Sequence, residues 1–287
     1  MKNYVSLIVD IEKSRMYGID ERNEMQNYMF YCVERLNQLF TESMEYEVAF
    51  SAGDELQGLF LDATTAVLYF RLLEMLLKPV KLRAGIGVGA WTVKVKNGLS
   101  TQQDGPAYHK ARKAIEEVHK KQLHNIRIIS DDNDAMANHL INASYNLKNQ
   151  QIYMQNIVYV IVELLYPFAT KRMNLNKYDI VKDLLGIKFE YGIGRRNLSY
   201  YSYSKRDVLR QYAFNYPEIP YADPVLIDGN LDGIEGEITR KNMAVTIANI
   251  LNCSRQNVET IIKRGNTNKI RELDYVALQY IEKMYGE

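Results

Sequence analysis

The stretch Tyr4-Val5-Ser6-Leu7-Ile8-Val9 carries apolar residues on both alternating faces. A strand of that kind is buried on both sides, so it belongs inside a sheet that is covered above and below. It ends in a carboxylate, Asp10, and the chain then turns polar through Glu12-Lys13-Ser14-Arg15. An aspartate in that place is either punctuation, solvating the strand end or capping a helix, or a metal ligand. A second carboxylate in the right place would separate the two readings.

Strand and helix patterns alternate through the first 130 residues. Residues 20–40 set Met25, Met29, Cys32, Val33, Leu36 and Phe40 on a helical stripe. Residues 46–51 and 56–61 read as the two strands of a hairpin that turns at Gly53-Asp54. A helix over 63–77 stops before Pro79. Residues 80–88 read as a strand, with 91–95 as its hairpin partner near Lys96-Asn97-Gly98. A helix over 106–119 and a strand over 125–130 follow. The order β-α-β-β-α-β-β-α-β gives an α/β or α+β layer sandwich over residues 1–132. After Asp131-Asp132-Asn133-Asp134 the character changes. Residues 135–212 read as mostly helical. Residues 215–237 hold Pro217, Pro220, Pro224, Gly229, Gly233 and Gly236 and read as a linker or an ordered excursion. Residues 133–237 are therefore expected to form a helical middle region with a linker, and 238–287 a helical terminal domain.

Composition narrows the partners. Lys and Arg number 36 against 35 Asp and Glu, so nucleic-acid contact must come from a local patch, not a global field. Cys32 and Cys253 lie far apart and read as reduced thiols, so a cytoplasmic protein is expected. The N-terminus lacks the basic and apolar regions of a secretory signal. The longest apolar run, Ile157-Val158-Tyr159-Val160-Ile161-Val162, meets Glu163 far short of the roughly 20 residues a membrane span needs, so no membrane insertion is expected.

"FSAGDELQGLF", residues 50–60, supplies the second carboxylate. Gly53 permits a positive φ and close approach of a phosphate or metal to the backbone. If the hairpin pairs beside the first strand, Asp10 and Asp54 meet at one place on the sheet. Two carboxylates with a backbone carbonyl, that of Ile11, suit Mg²⁺, which keeps water and substrate phosphates as its other ligands. Carboxylates so close repel unless a cation joins them. The bland alternative is two unrelated turn aspartates. "RAGIGVGA" sets Gly85, Gly87 and Gly89 on one strand face, a bare strip for a packed helix, a dimer partner or a ligand. The helix of "DGPAYHKARKAIEEVHKK" has a basic face, Lys110, Arg112 and Lys113, able to meet triphosphate oxygens or to sit in solvent. His119 and His124 read as surface residues.

A strand ending in Asp-Ile, a helix, a Gly-Asp hairpin and "LRAGIGVG" together resemble the catalytic domain of class III nucleotide cyclases. "DIEKSR", "SAGDELQGLF", "RAGIGVG" and "DGPAYHKARKAI" in that order resemble, more narrowly, the SatD family of bacterial proteins. The resemblance implies a ferredoxin-like, nucleotide-cyclase-like βαββαβ sandwich of the α+β class, followed by a mostly α-helical region ending in a helix-turn-helix. It implies a nucleoside triphosphate as ligand or substrate, with Mg or Mn held by Asp10 and Asp54. Gly53, Phe50, Lys110 and Arg112 are the expected nucleotide contacts. Active class III cyclases place an Asn and, four residues on, an Arg at the transition state. His109 and Lys113 stand at those two places here, and Lys lacks the planar fork of Arg. Phe50 stands where adenylyl cyclases carry a purine-reading lysine, which argues against an adenine-specific enzyme.

"TIANILNCSRQNVETIIKRG", residues 246–265, has helix-turn-helix spacing. Ile247, Ala248 and Leu251 would pack the first helix, Asn252 take the left-handed turn and Ser254 cap the second helix, with Val258 and Ile262 facing inward. Arg255, Gln256, Asn257 and Lys263 are left outward for bases and phosphates. A single module binds weakly, and class III cyclase sites form between two subunits, so both arguments point to a homodimer. Three readings stay open: a nucleotide-responsive DNA-binding protein, an active cyclase, and a scaffold that only dimerises.

Overall fold

A computed structural model of the chain describes residues 2–120, 124–173, 178–191, 215, 220, 222–231, 238 and 240–286. Five strands, β1 (Tyr4–Ile11), β2 (Met44–Ala52), β3 (Glu55–Phe60), β4 (Leu82–Gly89) and β5 (Ile126–Ile129), form one sheet in the order β2-β3-β1-β4-β5. A short pair, β6 (Phe168–Ala169) and β7 (Val225–Leu226), lies apart from it. The helices are α1 (Ile19–Leu39), α2 (Ala63–Leu77), α3 (Pro106–His119), α4 (Ala135–Ile141), α5 (Tyr145–Gln150), α6 (Tyr153–Leu165), α7 (Tyr178–Tyr191), α8 (Met243–Ile250), α9 (Arg255–Arg264) and α10 (Thr267–Tyr285). The chain is thus a mixed α+β structure, a five-stranded sheet followed by helices.

β1 is central and antiparallel to both neighbours, pairing Val9 with Leu56 on one side and Asp10 with Arg83 on the other. Its residues are apolar on both faces because both are covered. Val5, Leu7, Val9 and Ile11 join the main core, while Ile8 packs on the other face against Ala111 and Ile115 of α3. In α2 every residue but Glu74 is buried. A helix buried all round needs cover all round. The sheet lies against it, and α1, α6, α7 and α10 pack around the rest. Asp62 starts the helix by accepting the Thr65 amide at 2.7 Å.

The glycines of β4 belong to α3. A Cβ on Gly87 would fall on the Ala107 carbonyl oxygen, and one on Gly85 on that of Ala111. The bare strip is filled by the chain's own helix, which decides between the readings open for "RAGIGVGA".

Residues 91–95 do not pair with β4, contrary to the hairpin expected from their alternation. Both edges of β4 are taken, by β1 and by the parallel β5, so no ladder position remains. The segment is an excursion closed by a bridge between Val93 and Asp104. Trp91 anchors it edge-on to Tyr4 and Tyr46, each with ring centroids 5.4 Å away.

Within the stretch read as a linker or an ordered excursion, the described residues include β7, which pairs in parallel with β6. The main core then runs unbroken from Val5 in β1 to Ile281 in α10. Where α2, α6 and α10 meet, it encloses an ion network. Arg71 forks onto Glu163 at 2.6 and 2.5 Å and reaches Asp274 at 2.6 Å. Arg271 stands 2.6 Å from Glu163, Lys148 3.0 Å from Asp274, and both guanidiniums lie over the Phe168 ring. Among the described residues no helix is long and apolar enough to cross a membrane.

Candidate metal centre

Asp10 and Asp54 reach one end of the sheet by different routes. Asp10 is the penultimate residue of β1. Asp54 sits in the two-residue loop between β2 and β3, where Ala52 pairs with Glu55. Gly53 supplies a φ of +63° at the first loop position, as two-residue hairpins of this kind require. No atom lies within 4 Å of where its Cβ would be, so the space above it is open. Because β3 pairs directly with β1, the loop and Asp10 share one end of the sheet.

Asp10 senses the charge of Asp54. Burial first, and then the charge of Asp54, push the Asp10 carboxyl above its usual range, against the pull of His119 and Arg83. Asp54 Oδ2 is buried and has no hydrogen-bond partner among the described residues. A buried carboxylate oxygen without a donor, beside a second partly desolvated carboxylate, is costly. It is also the donor set that a hard divalent cation takes, with water and phosphate oxygens completing the shell. Ile11 is buried, and having no donor atom in its side chain it could serve only through its carbonyl. Among the described residues no three His, Cys, Asp or Glu side chains gather as a metal set. The pair therefore fits Mg²⁺ or Mn²⁺ and not a tetrahedral metal that needs four protein ligands.

A histidine and two arginines surround the pair. His119 ends α3 with Nε2 3.2 Å from Asp10 Oδ2. Arg83, opposite Asp10 in the ladder, stands 3.3 Å from Glu12. Arg112 donates from Nη2 to Glu55 Oε1 at 2.8 Å, beside the loop that carries Asp54. His119 is exposed, as expected of a surface residue, and is also a partner of Asp10. The sequence places Arg112 and His119 seven residues apart on one helix face, but does not say which strand that face meets.

The other expected nucleotide contacts lie elsewhere in the single chain. α3 starts near Gly89 and ends near Asp10, so ten residues, about 15 Å of helix, separate His109 from His119. His109 is exposed and paired with Asp104 at 2.9 Å. Lys113 is exposed, and Lys110 is tied to the Val88 carbonyl at 2.8 Å and to Asp131 at 2.7 Å. Phe50 packs against the main core. One chain therefore brings together Asp10, Gly53, Asp54 and Arg112 and gives His109 and Lys110 other partners, while Phe50, opposite Leu56 in the same hairpin as Asp54, packs toward the core.

The model of the SatD family matches residues 4–178. The chain belongs to the SatD family. The match takes in the whole five-stranded sheet of this SatD-family chain and runs on through α6. Among solved structures the chain is similar to a bacterial light-regulated adenylyl cyclase, at 13% identity and a TM-score of 0.31, over 44% of this chain and 74% of that one. No curated protein matches.

The terminal helices of this SatD-family protein follow the expected spacing. Ile247, Ala248, Leu251, Val258 and Ile262 are buried. Asn252 takes φ +48°, and Ser254 Oγ accepts the Asn257 amide at 3.2 Å. Arg255, Gln256, Asn257 and Lys263 are exposed, with Arg255 paired to Glu259 at 2.7 Å.

Proposed function

We propose that this SatD-family protein holds a nucleoside triphosphate with Mg²⁺ or Mn²⁺ at Asp10 and Asp54, and passes the state of that site to a DNA-binding helix-turn-helix formed by α8 and α9. The carrying observation is the buried, unpartnered oxygen of Asp54 beside the elevated Asp10 carboxyl. The element order β-α-β-β-α-β, with β1 between β3 and β4, supports the ferredoxin-like, cyclase-like reading of the sheet. A bound cation would supply counter-charge to the two carboxylates and to phosphate oxygens. Arg112 is placed to exchange Glu55 for a phosphate oxygen. His109 and Lys113, exposed along α3, would face the second subunit of a homodimer, as sites shared between subunits require.

The alternative is an active cyclase that releases a cyclic nucleotide and pyrophosphate. The exposure of His109 and Lys113 keeps both available to a partner subunit, but their chemistry departs from the Asn and Arg of active class III enzymes. A scaffold that only dimerises has no use for the unpartnered Asp54 oxygen.

Incubation with ATP, GTP, CTP and UTP plus Mg²⁺ or Mn²⁺, read by mass spectrometry, tests the choice. We expect no cyclic product from the wild type and metal-dependent nucleotide retention that Asp10→Ala abolishes. A cyclic product that Asp10→Ala does not make would establish the enzyme instead. Neither product nor retention would sink both readings.

A further inference from the structure

α5 has six residues, and none of them is fully buried. Leu147 alone packs against the main core, and only in part. So short a helix gains little from its own hydrogen bonds, so polar contacts with its neighbours hold it. Ser144, Lys148 and Gln151 recur at helical spacing and form one face of it. Ser144 Oγ donates to Asp274 of α10, and Lys148 stands 3.0 Å from the same carboxylate. Gln151 Nε2 donates to the Gly265 carbonyl at 2.8 Å, at the corner where α9 gives way to α10.

Other contacts tie α5 to the sheet. Asn142, just before it, accepts the Asn125 amide on Oδ1 at 3.0 Å, and its own carbonyl takes the Tyr145 amide at 3.1 Å. The Asn125 carbonyl accepts the amide of Ala84 at 2.7 Å, next to Arg83. Asn125 Nδ2 donates to Glu74, which stands 3.8 Å from Lys148. Arg83 lies opposite Asp10 in the ladder and 3.3 Å from Glu12. Burial pushes the Tyr145 hydroxyl above its usual range, and Glu12 and Arg83 are among the charges it senses. Arg83 thus acts on Asp10 on one side and on Tyr145 on the other. A cavity of about 20 Å³, room for about one water, opens where Glu74, Asn125, Lys148 and Asp274 meet. It leaves the Lys148 side chain space that close packing would deny.

We propose that α5 is the coupling element of this protein: a cation held by Asp10 and Asp54 is felt at the corner between α9 and α10 through Arg83, α5 and Gln151. The inference rests on the metal reading of those aspartates and names how that site is read. A cation on the carboxylates repels Arg83 and replaces the charge that Arg83 supplies to Asp10. Arg83 then turns to Glu12, and the field on Tyr145 changes. An element with few buried apolar contacts is the kind that shifts as a unit. Its displacement reaches Gly265 through Gln151, and Asp274 through Ser144 and Lys148.

The test uses the full chain. Bound Mn²⁺ is counted from the loss of the free ion's paramagnetic resonance signal. Hydrogen exchange in residues 255–266 is read by mass spectrometry with and without saturating Mn²⁺. Wild type is compared with Gln151→Met, Lys148→Met and, as the metal-free control, Asp54→Ala. Gln151→Met removes the bond to Gly265 together with a buried amide oxygen that has no partner among the described residues, so it decides the matter if Lys148→Met melts early. Mn²⁺ is expected to change exchange in residues 255–266 about fivefold in wild type, and Gln151→Met to bind Mn²⁺ without that change. Bound Mn²⁺ with no change in wild type overturns the coupling and leaves the metal reading standing. The same change in wild type and Gln151→Met overturns the role of α5. Absence of bound Mn²⁺ in wild type, or equal binding by Asp54→Ala, overturns the metal reading and the coupling with it.

Discussion

At Asp10 the chain accepts a destabilising charge. The folded carboxyl keeps its proton to higher pH than the unfolded one, because burial and Asp54 both oppose its ionisation. Its ionisation therefore removes stability as pH rises from the unfolded value, about 3.9, through the elevated folded value, and the loss is complete above that. Asp10→Asn should stabilise the protein in EDTA at pH 7 by on the order of 1 kcal/mol, with the gain shrinking as pH approaches about 4. Thermal melts at several pH values check this. A variant less stable than wild type at pH 7 would mean that the His119 contact outweighs the repulsion. The two aspartates are legible in the sequence because a strand pattern and a Gly-Asp turn fix their places with few assumptions. The His119 contact is not, because it depends on the direction in which α3 crosses the sheet.

Among elements, the seam between β4 and α3 and the β2–β3 loop use glycine for different reasons. Gly87 is required by contact, since a side chain there would meet the α3 backbone. Gly53 is required by conformation, with φ +63° and open space around it. Gly87→Ala should cost about 3 kcal/mol or more by forcing the helix off the strand. Gly53→Ala should cost roughly 1–2 kcal/mol, from the left-handed backbone alone. Urea unfolding ranks them, and the reverse order would contradict the packing of α3 on β4. Local patterns reveal the strands, the helices and the spacing of α8 and α9. They do not reveal pairing. Nothing within residues 80–95 says that β5, about 40 residues on, will take the edge that 91–95 seemed made for.

For the whole molecule, the buried network ties α2, which lies against the sheet, to α6 and the terminal helix. Burial alone would raise Asp274, but Lys148 and Arg71, with hydrogen bonds from Ser144 and Arg71, hold it down at about 2. Its contribution to stability is present above the unfolded value, about 3.9, and is lost as pH falls toward about 2. Arg71→Met removes from the core a counter-charge that Glu163 and Asp274 share, leaving Arg271 and Lys148 as their remaining cations. It should cost about 3–5 kcal/mol and move the onset of acid unfolding to higher pH. Circular dichroism along an acid titration would show it, and an unchanged onset would remove the network from any role in holding the two ends together. The sequence conceals this feature, because Arg71 is 92 residues from Glu163 and 203 from Asp274. The one visible trace is Glu163 ending the longest apolar run.

The most direct test of the carboxylate pair is calorimetric titration of each nucleoside triphosphate into wild type and Asp54→Asn, in Mg²⁺ and in EDTA. The loop position of Asp54 leaves the fold intact in the variant. The account predicts saturable heat for at least one nucleotide in Mg²⁺, none in EDTA and none with Asp54→Asn. Nucleotide binding that is the same in EDTA, or unchanged in the variant, would contradict it and return both aspartates to the status of turn residues.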